Sequence, residues 1–518
     1  MMMSIMKLQD VLKPVSRDQL KSLRRTDLIE LLLGEQKLRS QAEAYAKQLE
    51  EEKYLIDEKY VLIKNRIFSP SSEKGPKDKN GKDASDPKPK PKGPEDRTRL
   101  PSERYPDAKI LEQDIEMSPL PQCSCCGHQM SDSGMSDTVE MLSVIPKQII
   151  IKRQIYHKYH CRSCHGSVVT TPTLPRIKPG SSYDDEFIID VAASKYCDLI
   201  PIERFCSIAN RQGFKGLPPH SLIELTHYFA AFLLVVYKMI KREVFSAKVL
   251  HADETTHRML EGSETRNWYL WGFSTATASY FECHDTRSGD VAFSLLANSN
   301  CQYLMSDVYS GYTKAVKICN KLREQQKLGP PIQNVFCNAH VRRKFRELPG
   351  DAGAFFVEKY REIYKNEKEL KGCSDEERLL GRQKVVPLFD EMKVKASELL
   401  EGVSSKSHQA KAANYLLNNI EGFTRFLQNG SLPIDNNSAE RQLRTPVIGR
   451  KTWLGTHSEK GAETAAVLFS IFESCKLNGL NPRAYLQQLV KDIHQKKGPY
   501  TPREAAIASQ GPPTCSPN

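Results

Sequence analysis

The sequence predicts a multidomain α+β protein. It should have a helical, coiled-coil-like start, a small cysteine module, a helical region and an α/β domain interrupted by a helical insertion. Three observations carry that prediction. Two Cys-x-x-Cys pairs, Cys123–Cys126 and Cys161–Cys164, bracket a β-prone stretch. A segment from 69 to 104, rich in Lys, Pro, Asp and Ser, is almost devoid of apolar side chains. Beyond residue 247 the apolar pattern changes from helical to strand-like, with an acid following each of two apolar runs.

A chain of 518 residues has room for several domains. With 39% hydrophobic and 27% charged residues it should fold around cores in water. The net charge of +12 suits a polyanion such as nucleic acid, although basic tails and linkers produce the same excess. The opening "MMMSIMKLQD" lacks a secretory pattern. The longest apolar run, Tyr228–Ile240, is too short to span a bilayer and reads as one buried helix. Without an export signal, the 14 cysteines read as reduced thiols in a cytoplasm and not as a disulfide scaffold.

Residues 1–68 read as helix. Leu31, Leu38 and Tyr45 share one heptad position and Ala42, Leu49, Ile56 and Ile63 the other, a leucine-zipper-like seam interrupted by Glu35, Glu52 and Lys59. An ordinary amphipathic hairpin is the competing reading. Residues 69–104 cannot bury enough surface to offset their ordering entropy and read as a flexible linker. Residues 105–175 hold the cysteine pairs, and "VEMLSVIPKQIIIKRQIYHKYH" between them reads as two strands around Pro146. Four thiolates at Cys123, Cys126, Cys161 and Cys164 suit a tetrahedral structural Zn2+ of zinc-ribbon type, with Cys125, His128 and His165 as competing ligands. Residues 176–247 have a helix–turn–helix rhythm, with Gly213 as a stop and Ser221 near the next start; a purely structural helical layer fits equally.

From 248 to 485 the order is strand-rich. "KVLHADETTHRML" and "NWYLWGFSTATASYFECHD" give three strands, and "VAFSLLAN" gives a helix. "CQYLMSD" is a strand ending in Asp307, and "IQNVFCNAHVRRKF" is a strand running into a basic helix. Residues 352–429 are helical in pattern and precede the helix that carries Glu440; residues 486–518 form a tail. This order suggests a ribonuclease-H-like sheet with an insertion.

Asp253 and Asp307 each follow an apolar strand, which sets a charge at the rim of a sheet where a cation would compensate it. Together with Glu440 they have the chemistry to hold two Mg2+ ions. Local readings compete: a strand-end turn for Asp253, an Asx turn for Asp307, and a capping box from Asn437 to Glu440. His340, Arg342, Arg343 and Lys344 sit just after a strand, where phosphate contact is expected. Arg444 is one turn beyond Glu440, placed for an ion pair or for DNA. Arg450, Lys451 and Trp453 form a basic–aromatic cluster suited to DNA, with Trp453 equally readable as core.

The motifs "HADET", "SDVYSGY", "CNAHVRRKF", "DNNSAERQLR" and "GRKTWLG…KLNGLNPRAYL", in that order, resemble the IS66 family of bacterial insertion-sequence transposases. The resemblance runs from the zipper-like start to about Tyr485 and takes in the cysteine knuckles and "SKYCDLIPIERF". It implies a DDE transposase with Asp253, Asp307 and Glu440 as catalytic acids, using two Mg2+ (or Mn2+) ions, with structural Zn2+ alongside. It also implies binding to terminal inverted repeats and target DNA in a bacterial, nucleoid-associated setting. A homo-oligomeric synaptic complex, accessory proteins of the same element and no membrane partner belong to the same expectation. Asn338 departs from the family, which usually has an aromatic residue after the position of Cys337. The alternative is a zinc-finger DNA-binding regulator with an inactive ribonuclease-H-like domain. A ribonuclease-H-like nuclease acting on other nucleic acid is a third reading, disfavoured by the motifs outside the acids.

Overall fold

A computed structural model describes residues 24–68, 100–106, 109–112, 118, 121–130, 138–144, 147–160, 168–260, 267–348, 351–401 and 403–509. The chain divides into two compact units, residues 68–155 and the remainder.

In the smaller unit a single turn, α2 (Pro101–Arg104), is held by Glu140, whose carboxylate accepts the Ser102 amide and hydroxyl at 2.8 Å each. The expected strands around Pro146 are not found. Residues 138–144 and 147–157 carry no strand, and Pro146 lies outside the described residues. Ile150, Ile151 and Ile155 are exposed. Their β-branched run has propensity but no sheet partner among the described residues, and isolated pairs of strands are marginal in water. The strands that do form belong to the larger unit: β1 (Lys158–His160) and β2 (Val168–Thr170), antiparallel, flanking residues 161–167.

The first described element of the larger unit is α1 (Arg25–Phe68), 44 residues long. Its seam residues Leu38, Tyr45, Leu49, Ile56 and Ile63 are exposed. Glu58 is buried instead: its carboxylate accepts the His408 amide at 2.8 and 2.9 Å and meets His408 Nδ1 at 2.9 Å.

A helical layer follows: α3 (Asp185–Tyr196), α4 (Ile202–Arg211), α5 (Pro219–Phe232) and α6 (Leu234–Ser246). Asp184 caps α3 through the Phe187 amide, and Gly213, at φ +96°, takes the left-handed turn that ends α4. The apolar run 228–240 is not one helix: it breaks at Leu233, where α5 and α6 meet at a 54° bend. Both helices bury a face in the core, so the run is apolar because two helices dock there. No single helix among the described residues is long and apolar enough to cross a membrane.

The sheet comprises β3 (Val249–Arg258), β4 (Asn267–Ser274), β5 (Ser279–His284), β6 (Tyr303–Ser306) and β7 (Gln333–Phe336), in the spatial order β5-β4-β3-β6-β7. The first three are antiparallel; β6 and β7 join β3 in parallel. Parallel neighbours need crossovers. Helix α7 (Gly289–Leu296) lies between β5 and β6, and α8 (Ser310–Gln326) links β6 to β7.

Strand alternation divides the side chains between two cores. Leu250, Ala252 and Leu304 enter one with α3, α5, α6, α16 (Glu459–Leu477) and α17 (Pro482–His494). Met305, Val335 and Cys337 enter the other together with α9 (Asn338–Arg346), and the insertion fills it with α10 (Ala354–Glu369), α12 (Val386–Glu398) and α13 (His408–Leu417). Within the insertion, α11 (Asp375–Arg382) ends in Arg382, which is fully buried. Its guanidinium forks onto Glu367 at 2.7 and 2.9 Å and donates to the carbonyls of Phe426 and Leu432. A short helix, α14 (Ile420–Thr424), closes the insertion; α15 (Asn437–Trp453) follows, and α18 (Pro502–Ser509) is the last element.

Two histidines tie distant parts of this unit together while neutral. His257 meets Thr456 Oγ1 at 2.9 Å, and burial, then Arg450, pushes it down to about 4. His227 meets Thr464 Oγ1 at 2.7 Å and is pushed down to about 4 by burial, then Lys460 and Lys195. The unfolded chain takes up these protons from about pH 6.5 downward, and the folded chain does not until about 4. Stability should therefore fall as pH drops through that window. The urea midpoint against pH should flatten there in His257→Gln; an unchanged slope contradicts the assignment.

Candidate active site

Asp253 lies within β3, not at its end: the strand continues to Arg258, with Asp253 opposite Gly272 of β4. The expectation of a strand-end acid holds on one side only. Pairing of β3 with β6 runs from Val249↔Tyr303 to His251↔Met305 and stops, so Asp253 stands where the β6 side of the strand has opened. Continuing that register by two residues puts Asp307 beside Asp253. Residues 249, 251 and 253 share one face with 303, 305 and 307 by the two-residue period. Asp307 directly follows β6, and its Oδ1 accepts the Tyr309 amide at 3.1 Å. The Asx turn is therefore present, and it orients the carboxylate without consuming both oxygens.

Glu440 arrives on α15, but not through a capping box. The helix starts at Asn437, and its N-cap is Asn436, which makes no side-chain cap bond. The Asn437 amide and side chain donate to Asp435 at 3.2 and 2.7 Å. Asn436 is drawn away from capping by the sheet. Its Nδ2 donates to the Ala252 carbonyl at 2.9 Å, its Oδ1 meets His251 Nδ1 at 2.8 Å, and its amide donates to Cys337 Sγ at 3.2 Å. One buried amide thus clamps the start of α15 to the residues just before Asp253, and Glu440 follows in the first helical turn.

A cavity of about 290 Å³ opens at this junction, lined by Asp253, Thr255, His340, Glu440, Leu443 and Arg444 among others. Burial, then the carboxylates of Glu254, Glu440 and Asp307, holds the Asp253 carboxyl well above the ordinary carboxylate range. Glu254 points to the opposite face, where Arg287 and Tyr312 occupy its oxygens, so its charge is locally compensated. Glu440 Oε1 is buried without a hydrogen-bond partner. A concentration of carboxylates with an unsatisfied oxygen is costly as it stands and suits a divalent cation; Asp253 and Glu440 line the cavity, whereas Asp307 is not among its lining residues and acts on Asp253 through its charge.

The other candidates divide. Arg444 lines the cavity, while the group facing Glu440 Oε1 is His340 Nδ1, at 3.7 Å, and not the expected Arg444. Arg342 lies over the Tyr364 ring and Lys344 over Tyr415, so these two cations of α9 rest on aromatic faces of the insertion; Arg343 follows Arg342 on the same helix. Arg450 donates to Thr256 and Thr255 on β3. Lys451 is exposed. Trp453 packs edge-on against Tyr196 and joins the partly buried rim of the first core, the structural reading of that residue. Asn338 donates to the Phe423 and Ile434 carbonyls and accepts from Tyr360, so it latches the insertion, and a stacking role is absent there. Gly455, at φ +128°, ends α15 where a Cβ would meet the Arg258 carbonyl at 2.1 Å.

In the smaller unit Cys123 and Cys126 form a knuckle. Gly127, at φ +74°, turns its amide onto the Cys123 carbonyl at 2.9 Å, and the Cys123 amide donates to the His128 carbonyl at 2.8 Å. The amides of Cys125 and Cys126 hold the Cys123 thiol below its ordinary value, as a thiolate metal ligand requires. Cys161 and Cys164 lie outside the described residues.

The family model described as "Transposase IS66 family" matches residues 180–464, more than half of the chain. The chain belongs to the IS66 transposase family. A second model, "zinc-finger binding domain of transposase IS66", matches residues 121–165, which include all four knuckle cysteines and point to Zn2+ there. Among similar proteins is the uncharacterized protein y4hP of Sinorhizobium fredii (strain NBRC 101917 / NGR234), 28% identical over 75% of this chain and 73% of its own. Another from the same organism, the uncharacterized protein y4qI, is 29% identical over 77% of this chain and 75% of its own.

Sequence reasoning missed Asn436, His251 and Cys337 as parts of this IS66-family site. Period-two parity with Asp253 and with Val335 places His251 and Cys337 on the site face, a signal available in the strands. Nothing in "IDNNS" distinguishes Asn436 from its polar neighbours. Asn436→Ala should leave the buried Ala252 carbonyl unpaired, at a cost of roughly 1–3 kcal/mol. The urea midpoint should drop accordingly, and a change well below about 1 kcal/mol would show that Asn436 does not clamp the helix.

Proposed function

We propose that the protein is a DNA transposase that binds the terminal inverted repeats of its element, then cleaves and joins DNA by divalent-metal-dependent phosphoryl transfer. Asp253, Asp307 and Glu440 are its catalytic acids. The observation that carries the reading is that Asp253 and Glu440 line one cavity, and the β3–β6 register continued by two residues runs to Asp307 beside Asp253, inside the region matched by the transposase family. The strand order β5-β4-β3-β6-β7, three antiparallel followed by two parallel, supports a ribonuclease-H-like domain over 248–485 with the insertion at 352–429. The segment 1–68 serves as a zipper-like region, 69–104 as linker, 105–175 as a Zn2+-stabilised module and 176–247 as a helical DNA-contacting region.

Two Mg2+ or Mn2+ ions held by Asp253, Asp307 and Glu440 would neutralise charge on the attacking water or 3′-hydroxyl and on the leaving oxygen. The chain supplies the positioning. Asn436 fixes where α15 presents Glu440 relative to β3, and the Tyr309 amide fixes one oxygen of Asp307. Arg444 and His340 border the cavity where a phosphate would sit, and such oriented donors act on charge that develops during transfer. Pairing of two ends requires more than one protomer, consistent with a homo-oligomer.

Asp253→Asn should lower strand transfer on element-end DNA by at least about a hundredfold while leaving end binding largely intact. Its metal-free form should melt higher than the metal-free wild type, since a buried carboxyl among like charges is removed, and it should lose the Mg2+-induced rise. Retained strand transfer would overturn the assignment. End binding should also weaken as salt is added, through counterion release; an affinity insensitive to salt would count against a phosphate-dominated interface.

A further inference from the structure

We propose that Cys337, His340 and Glu440 form a second cation site, for a soft or borderline divalent ion of the zinc class, which shares Glu440 with the carboxylate pocket. One ligand atom from each residue lies within 4.8 Å of the other two. His340 Nδ1 and Glu440 Oε1 are 3.7 Å apart, and both are buried atoms without a hydrogen-bond partner. Two orphaned polar atoms facing each other cost roughly 1–3 kcal/mol apiece, and one cation between them satisfies both. A tetrahedral ion bound at about 2.0–2.1 Å to nitrogen and oxygen sets such ligands roughly 3.4 Å apart, close to the separation found.

The donor types decide the class of ion. Mg2+ takes oxygen ligands and retained water, whereas a thiolate and an imidazole select zinc-like ions. Each ligand sits at a fixed point of the fold: Cys337 immediately after β7, His340 in the first turn of α9, and Glu440 in the first turn of α15. The Asn436 amide donates to the Cys337 sulfur at 3.2 Å, an outer partner of the kind that orients a metal ligand. Burial pushes the Cys337 thiol up to about 12, so entry of the ion must release that proton to solvent. His340 and Glu440 also line the cavity, from which a water would supply a fourth ligand. An ion held there withdraws Glu440 from Asp253 and Asp307, so zinc-class ions oppose Mg2+ at the catalytic acids. Only this antagonism rests on the transposase reading; the binding site itself does not.

The test is the Co2+ content of full-length protein after gel filtration, with no DNA and no turnover involved, for wild type, Cys337→Ser, His340→Gln and Asp253→Asn. Knuckle-bound metal is common to all four and cancels. Wild type and Asp253→Asn should each carry one equivalent more than Cys337→Ser and His340→Gln. The extra equivalent should absorb as a thiolate-to-cobalt band. His340 is partly exposed, so its variant keeps the test meaningful should Cys337→Ser unfold. Equal cobalt in wild type and His340→Gln overturns the proposal, as does loss of the equivalent in Asp253→Asn. Failure of the transposase reading would show separately, as absent strand transfer with the cobalt count unchanged.

Discussion

The Asn436 side chain is the contact on which the rest of the site depends. It joins a strand carbonyl, a strand histidine and the start of α15 in one buried set of bonds. It fixes the start of the helix that carries Glu440 against the strand that carries Asp253, and Arg450 ties the far end of that helix to the same strand. The two residues are almost two hundred positions apart, and the whole insertion intervenes. A buried amide fits this task because its donor and acceptor ends are both used, and a half-satisfied group there would cost more than it contributes. The same clamp explains the absence of a side-chain cap on α15: Asn436 cannot serve the helix and the sheet at once, and Asp435 takes over the Asn437 amide.

Around that clamp the fold separates two demands. One face of β3, β6 and β7 is given to chemistry and to the insertion, the other to a conventional apolar core. Glu254 shows the separation most clearly. It is adjacent to Asp253 in sequence, yet Arg287 and Tyr312 satisfy its carboxylate on the far face, while its amide donates to Asp253 Oδ1 at 2.9 Å and its charge acts on Asp253. The site therefore has unbalanced negative charge by construction, in a chain whose overall charge is +12. Its positive counterparts are held back: Lys344 and Arg342 rest on tyrosine rings, and Arg450 is bound to β3 threonines.

Much of this was legible in the sequence. The order of strands, the helix after Phe336 and the helical character of residues 352–429 follow from apolar periodicity and from acids or glycines at the breaks. The period-two rule also puts Asp253 and Asp307 on one face once their strands pair in parallel. What was illegible depended on partners distant in sequence. The capping-box pattern at Asn437 is a local rule overruled by a sheet contact. The isoleucine-rich stretch before the second knuckle has strand propensity but, up to Ile155, no strand partner among the described residues. The apolar run through Leu233 looks continuous because composition is blind to a 54° bend between two docked helices.

The Glu58 contact has a consequence for the order of folding. The amide ends of α13 are satisfied by a carboxylate 350 residues upstream. At ribosomal speeds of about 5–20 residues per second, α1 is complete roughly 20–70 s before its partner exists. During that interval Glu58 has no amides to accept, and the apolar stripe beside it faces solvent or another nascent chain. Fastening of α1 is therefore a long-range closure that waits for α13.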